Sequence, residues 1–95
     1  MAAPKIVLRS TAGYRPELDE LVAAWMSRGV RYVGVVGVDS SRLDDIIDEL
    51  CVGDGSRPYE MLTAFHGPDE SLQDALALAS QFSEEFGSGV EVVEF

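Results

Sequence analysis

The sequence predicts a single α/β domain spanning residues 1–95, built on a four-stranded, mostly parallel sheet in the order β-α-β-α-β-α-β with helices on both faces. Three observations carry this expectation. The run Tyr32–Val38, YVGVVGV, is apolar or glycine throughout, whereas a strand with one solvated face would alternate apolar with polar. Directly after it, Leu43, Ile46, Ile47 and Leu50 recur at i, i+3, i+4 and i+7, the stripe of an amphipathic helix. The same strand-to-helix step occurs three times along the chain, and such alternation implies parallel strands joined by crossovers.

Taken in order, Lys5–Arg9 reads as a strand whose Ile6-Val7-Leu8 run is buried on both faces. Ser10 to Tyr14 is a loop, and Pro16 fits the first helical position, where its missing N–H costs nothing. The helix runs to about Arg28 with Leu18, Leu21, Val22 and Trp25 on one stripe and Met26 on its flank. Glu17, Asp19 and Glu20 near its start and Arg28 at its end complement the macrodipole, and Gly29 ends it. Trp25 belongs to the stripe, so its expected role is core packing rather than a binding anchor. In the second strand, Gly34 and Gly37 allow a neighbouring backbone or helix to approach closely. Ser41 is the expected N-cap of the second helix, with Asp44 completing an acidic form of the capping box and Gly53 just past its end. Cys51, the single cysteine, reads as a small apolar filler near the end of that helix. Gly53–Pro58 is turn-rich and long enough to act as a flap. Tyr59–Phe65 is the third strand, and a helix beginning near Asp69 or Ser71 carries Leu72, Ala75, Leu76, Ala79, Phe82 and Phe86 on one stripe. Val90–Phe95 is the last strand, and Glu91 and Glu94 protect it as an edge.

The expected strand order is 2-1-3-4, a flavodoxin-like or Rossmann-like arrangement cut short, with 3-2-1-4 as the main rival. Ninety-five residues suffice for one core without staples. A single cysteine permits no internal disulfide and points to a reducing compartment. The opening MAAPKIVLRS lacks the long apolar region of a signal peptide, and no run reaches membrane-spanning length, so a cytoplasmic protein is expected. The formal net charge is −10. Seven basic and nine acidic residues fall within 1–57, but residues 58–95 hold eight acids and no Lys or Arg. Nucleic acid binding needs a basic footprint, and anionic membranes and polyphosphates repel a chain of this sign.

In open parallel sheets ligands bind beyond the carboxyl ends of the strands. That rule selects Ser10–Tyr14, Asp39-Ser40-Ser41 and His66–Asp69. His66, the only histidine, is the candidate base or ligand, Asp39 the group that would orient it, and Ser10 or Thr11 the candidate nucleophile. Asp39, Asp44 and Asp54 are candidate divalent-cation ligands. Each also has a structural explanation: an Asp at a strand end bonds nearby backbone N–H groups, and serines there cap helices. No phosphate-cradling loop is present, since TAGYR has one glycine and no GK[ST], so no cofactor is expected.

The segments RYVGVVGVDSSRLDDIIDELCVGDG and LTAFHGPDES resemble a family of small acidic bacterial α/β proteins of unknown function, over most of the chain from Trp25 to the third helix. The resemblance implies a bacterial, cytoplasmic, stand-alone domain and brings no activity, cofactor or catalytic residue with it. The function expected from the residues is a non-catalytic interaction domain meeting a basic protein or a second copy of itself as a homodimer. The alternative is a small enzyme, or a small-ligand or divalent-cation binding module, with its site at the C-terminal ends of the first three strands.

Overall fold

The strands buried on both faces take the middle of the sheet. In a computed structural model, which describes residues 3–95, β1 (Lys5–Ser10) and β2 (Tyr32–Gly37) lie side by side, flanked by β3 (Leu62–Phe65) and β4 (Val90–Glu94). All pairings are parallel, and the order is β3-β2-β1-β4. This corrects the expected 2-1-3-4 order, which would have put the second strand at an edge. Tyr32 to Val35 are almost wholly buried, and an edge would have left one side of that apolar run without a neighbour. The short β3 and the acidic β4 take the edges instead.

Helices α1 (Glu17–Arg28) and α2 (Ser40–Val52) cover one face, and α3 (Leu72–Gln81) covers the other. Alternation along β1 sends Ile6 and Leu8 toward α1 and α2 and Val7 toward α3. Leu18, Val22 and Trp25 of α1 meet Leu43 and Ile47 of α2 in the larger core. On the opposite face Ala75 and Ala79 let α3 sit close to Val7, Tyr32 and Val36. There α3 packs across β1, β2 and β4, whereas α2 packs on β2 and β3. The α3 side of β3 is therefore uncovered, and Leu62 is 39% exposed.

Two elements are shorter than their patterns predict. The third helix is capped by Ser71 and Asp74 in a full capping box, but ends at Gln81; Phe82 is extended, and Glu84–Phe86 forms a separate 3-10 turn. Phe82 and Phe86 still face the sheet, with Phe82 against Tyr32 at a 4.8 Å ring separation. The Lys5 ammonium donates to the Phe82 carbonyl at 2.6 Å, placing a cation at the C-terminal end of α3. The third strand starts at Leu62 rather than Tyr59 because Tyr59 is committed elsewhere. Its N–H donates to the Cys51 carbonyl and its hydroxyl to the Val30 carbonyl at 2.6 Å.

Candidate functional site

Parallel strands bring the exits of β1, β2 and β3 to one rim. Ser10 and Gly37 are paired there, and Val38 N–H donates to the Ser10 carbonyl at 3.0 Å. Asp39 then adopts the left-handed conformation, φ 55°, which Asp tolerates better than most residues. That turn starts α2 at Ser40, so the expected Ser41 cap does not form, and Asp39 makes no side-chain cap. The Ser40 hydroxyl instead donates to the His66 carbonyl at 2.7 Å, tying the exit of β2 to that of β3.

Among the described residues, three of the four expected site residues are held by side-chain hydrogen bonds within the domain, and Asp39 is not. Ser10 is buried, and its Oγ accepts Gly13 N–H at 3.1 Å. The Thr11 hydroxyl donates to the Phe95 carbonyl at 2.8 Å. Asp39 is exposed with its carboxylate against Gly13, where an added Cβ would lie 2.6 Å from Oδ2. His66 is 3% exposed; its Nδ1 lies 2.7 Å from Glu70 Oε2, and its buried Nε2 has no partner. A carboxylate at Nδ1 places a proton on that nitrogen. The His66 hydrogen bond, helped by Gly67 N–H at 3.1 Å, holds the Glu70 carboxyl below its usual range.

A cleft of about 500 Å³ opens at this rim, lined by Arg9, Ser10, Thr11, Gly37, Val38, Gly67, Pro68 and Glu70. Ser10 and Thr11 reach it; Asp39 and His66 do not line it. Among the described residues no hydrogen bond joins a hydroxyl of Ser10 or Thr11 to His66, or His66 to Asp39. In this strand order the direction reverses between β1 and β4, and Phe95 fills that place. Its ring is buried with the α1–α2 core, and the Arg15 guanidinium lies 4.2 Å above it.

The cation-ligand candidates are also apart. Asp54 accepts the N–H and hydroxyl of Ser56 in its own turn, and these bonds hold its carboxyl low. Among the described residues no three His, Cys, Asp or Glu side chains are grouped to hold a metal ion. Asp44 sits on the inner side of α2, 8% exposed, with Oδ1 buried and unpartnered. Beside it the Thr63 hydroxyl of β3 donates to Asp48 Oδ1 at 2.7 Å. Burial pushes the Asp44 carboxyl up, the charges of Asp48 and Asp45 add to this, and the Thr63 hydroxyl opposes it in part.

This notch of Asp44, Asp48 and Thr63 is the feature the sequence reading missed. One signal for it exists: Asp44 is three residues before Ile47 and seven before Cys51, which places it on the helix's buried side. A raised folded-state pKa adds stability below the unfolded pKa and loses it as pH rises through the folded value. Charged Asp44 therefore subtracts stability at neutral pH. Asp44→Asn is expected to stabilise the domain by about 1 kcal/mol at pH 7, with the gain fading toward pH 3, as read by urea unfolding. An effect equal at both pH values would contradict this reading.

No curated protein and no solved structure matches the chain. A family model described as a domain of unknown function, DUF7684, matches residues 6–92, from within β1 to within β4, and the chain belongs to that family.

Proposed function

We propose that the protein is a non-catalytic interaction domain that takes a basic protein partner, a Rossmann-like half-sheet working in the bacterial cytoplasm. The observation that carries this reading is the contrast between the two sheet edges. On β4, Glu91 and Glu94 are paired to Arg28 and Arg9 at 3.3 and 3.4 Å, a charged edge of the kind that resists pairing. The β3 edge, Leu62-Thr63-Ala64-Phe65, carries no charge of its own, while Asp44 and Asp48 of α2 lie against it. Leu62 and Phe65 are exposed at its two ends. The buried Cys51 thiol agrees with a reducing compartment. No helix is long and apolar enough to cross a membrane among the described residues.

Self-association as a homodimer has less support, because β3 paired with β3 would bring two Asp48 carboxylates along one seam. The strand-end enzyme or ligand module has the cleft in its favour and the placement of Asp39 and His66 against it. The test is affinity capture at low salt, followed by binding of the purified partner. A basic partner that binds in a fixed ratio and weakens at least about tenfold between low and high salt supports the proposal. Salt-independent binding, or a stable dimer at micromolar concentration with no partner, contradicts it.

A further inference from the structure

We infer that β3 accepts a fifth strand, an extended partner segment alternating basic and apolar residues, with one Lys or Arg seated at the notch of Asp44, Asp48 and Thr63. This deepens the interaction-domain reading and rests on it.

The backbone sets the docking edge. Leu62 and His66 N–H donate toward β2, to the carbonyls of Arg31 and Val35 at 2.9 and 2.8 Å. Alternation turns the N–H and C=O groups of Thr63 and Phe65 the other way, where the sheet has no further strand. A row of unpaired groups is a template for strand addition.

Side chains set what that strand must carry. A residue set beside Thr63 points to the same face as Thr63, the α2 side. Thr63 has one hydroxyl proton; it donates to Asp48 at 2.7 Å and lies close enough to Asp44 to offset part of the rise in that carboxyl's pKa. Asp44 Oδ1, buried a helical turn away, is left without a donor. A cation from the added strand would face two carboxylates there, one of which keeps a buried oxygen without a hydrogen-bond partner. Next along the same face is Phe65, 50% exposed, a ring on which a guanidinium can stack. Intervening residues of the added strand fall on the side left bare by α3, beside exposed Leu62, where apolar residues fit. A second copy of β3 offers Leu, Thr, Ala and Phe in this seam and no cation. The domain keeps a buried carboxylate with one unpartnered oxygen here at a cost in stability, as sites selected for binding commonly do.

The test is an amide-resolved NMR titration of the full chain with two synthetic octapeptides, one alternating Arg and Val and one alternating Glu and Val. The Arg-Val peptide is expected to shift the Thr63 and Phe65 amides and slow their exchange, and the Glu-Val peptide to leave them unchanged. Asp44→Asn with Asp48→Asn, a pair that removes charge without removing packing, is expected to weaken the Arg-Val peptide about tenfold. Arg-Val binding mapped to α3 or β4, or unchanged in the double variant, overturns the β3 assignment and leaves the interaction-domain reading standing. Absence of binding overturns the assignment too, while the capture experiment decides the wider reading independently. Thr63 and Phe65 shifts that grow with protein concentration alone would overturn it in favour of a second copy.

Discussion

Gly37→Ala is expected to destabilise the domain by more than about 3 kcal/mol, a large share of the stability open to a chain of this size. Gly37 has φ 104°, where an L side chain is strained, and an added Cβ would lie 2.2 Å from the Ser10 carbonyl oxygen. That oxygen belongs to the paired backbone of β1 and accepts Val38 N–H, so it is no flexible side-chain end that can swing aside. Both strands are held between helical layers, which leaves little room to part them. Gly29→Ala is the control. Its φ is 83° with nothing within 4 Å of the added Cβ, so only the left-handed penalty of about 1–2 kcal/mol applies. Equal losses for the two variants in urea unfolding would show that the β1 and β2 exits are not in this contact.

Trp25→Ala is expected to cost about 3–5 kcal/mol, the range for removing a large aromatic from a packed core. Trp25 is 2% exposed and lies among Leu18, Val22 and the β1 and β2 residues facing α1 and α2. In a domain of this length the loss corresponds to a fall in Tm of more than about 12 °C. Strand β3 is not part of this cluster, so the shifts induced by the Arg-Val peptide should survive wherever the variant stays folded. A loss of peptide binding without loss of stability would instead make Trp25 a binding anchor.

The residues show why the fold was more legible than the site. β1 and β2 announce themselves because burial on both faces leaves a local mark, an unbroken apolar run. The same mark, followed through, places them at the centre of the sheet, where the order 2-1-3-4 did not put the second strand. The Phe82 and Phe86 positions extend the α3 stripe past the helix itself. Periodicity reports which side residues face, and here an extended Phe82 followed by a 3-10 turn keeps both rings on the sheet.

Ser41 looked like a cap because cap propensity is local. The left-handed turn at Asp39 and the Ser40 bond to His66, 26 residues away, are consequences of packing. The notch is hidden for the same reason. Asp44 and Asp48 are visible as an i, i+4 pair, but only the tertiary fold sets Thr63 against them, fifteen residues on from Asp48. The rim also brought Ser10 and Thr11 to a shared cleft as the strand directions require, while side-chain orientation, which strand patterns do not encode, kept Asp39 and His66 out of its lining.

Among the described residues β3 has no strand on its outer side, and amide hydrogen exchange in the free protein reads whether that edge is open. Leu62, Ala64 and His66 should be protected by β2, and Thr63 and Phe65, one residue out of phase, should exchange close to the rate of unstructured chain. Protection of Thr63 and Phe65 equal to that of their neighbours, in the monomer and without ligand, would mean the edge is already closed, and the docking account would fail.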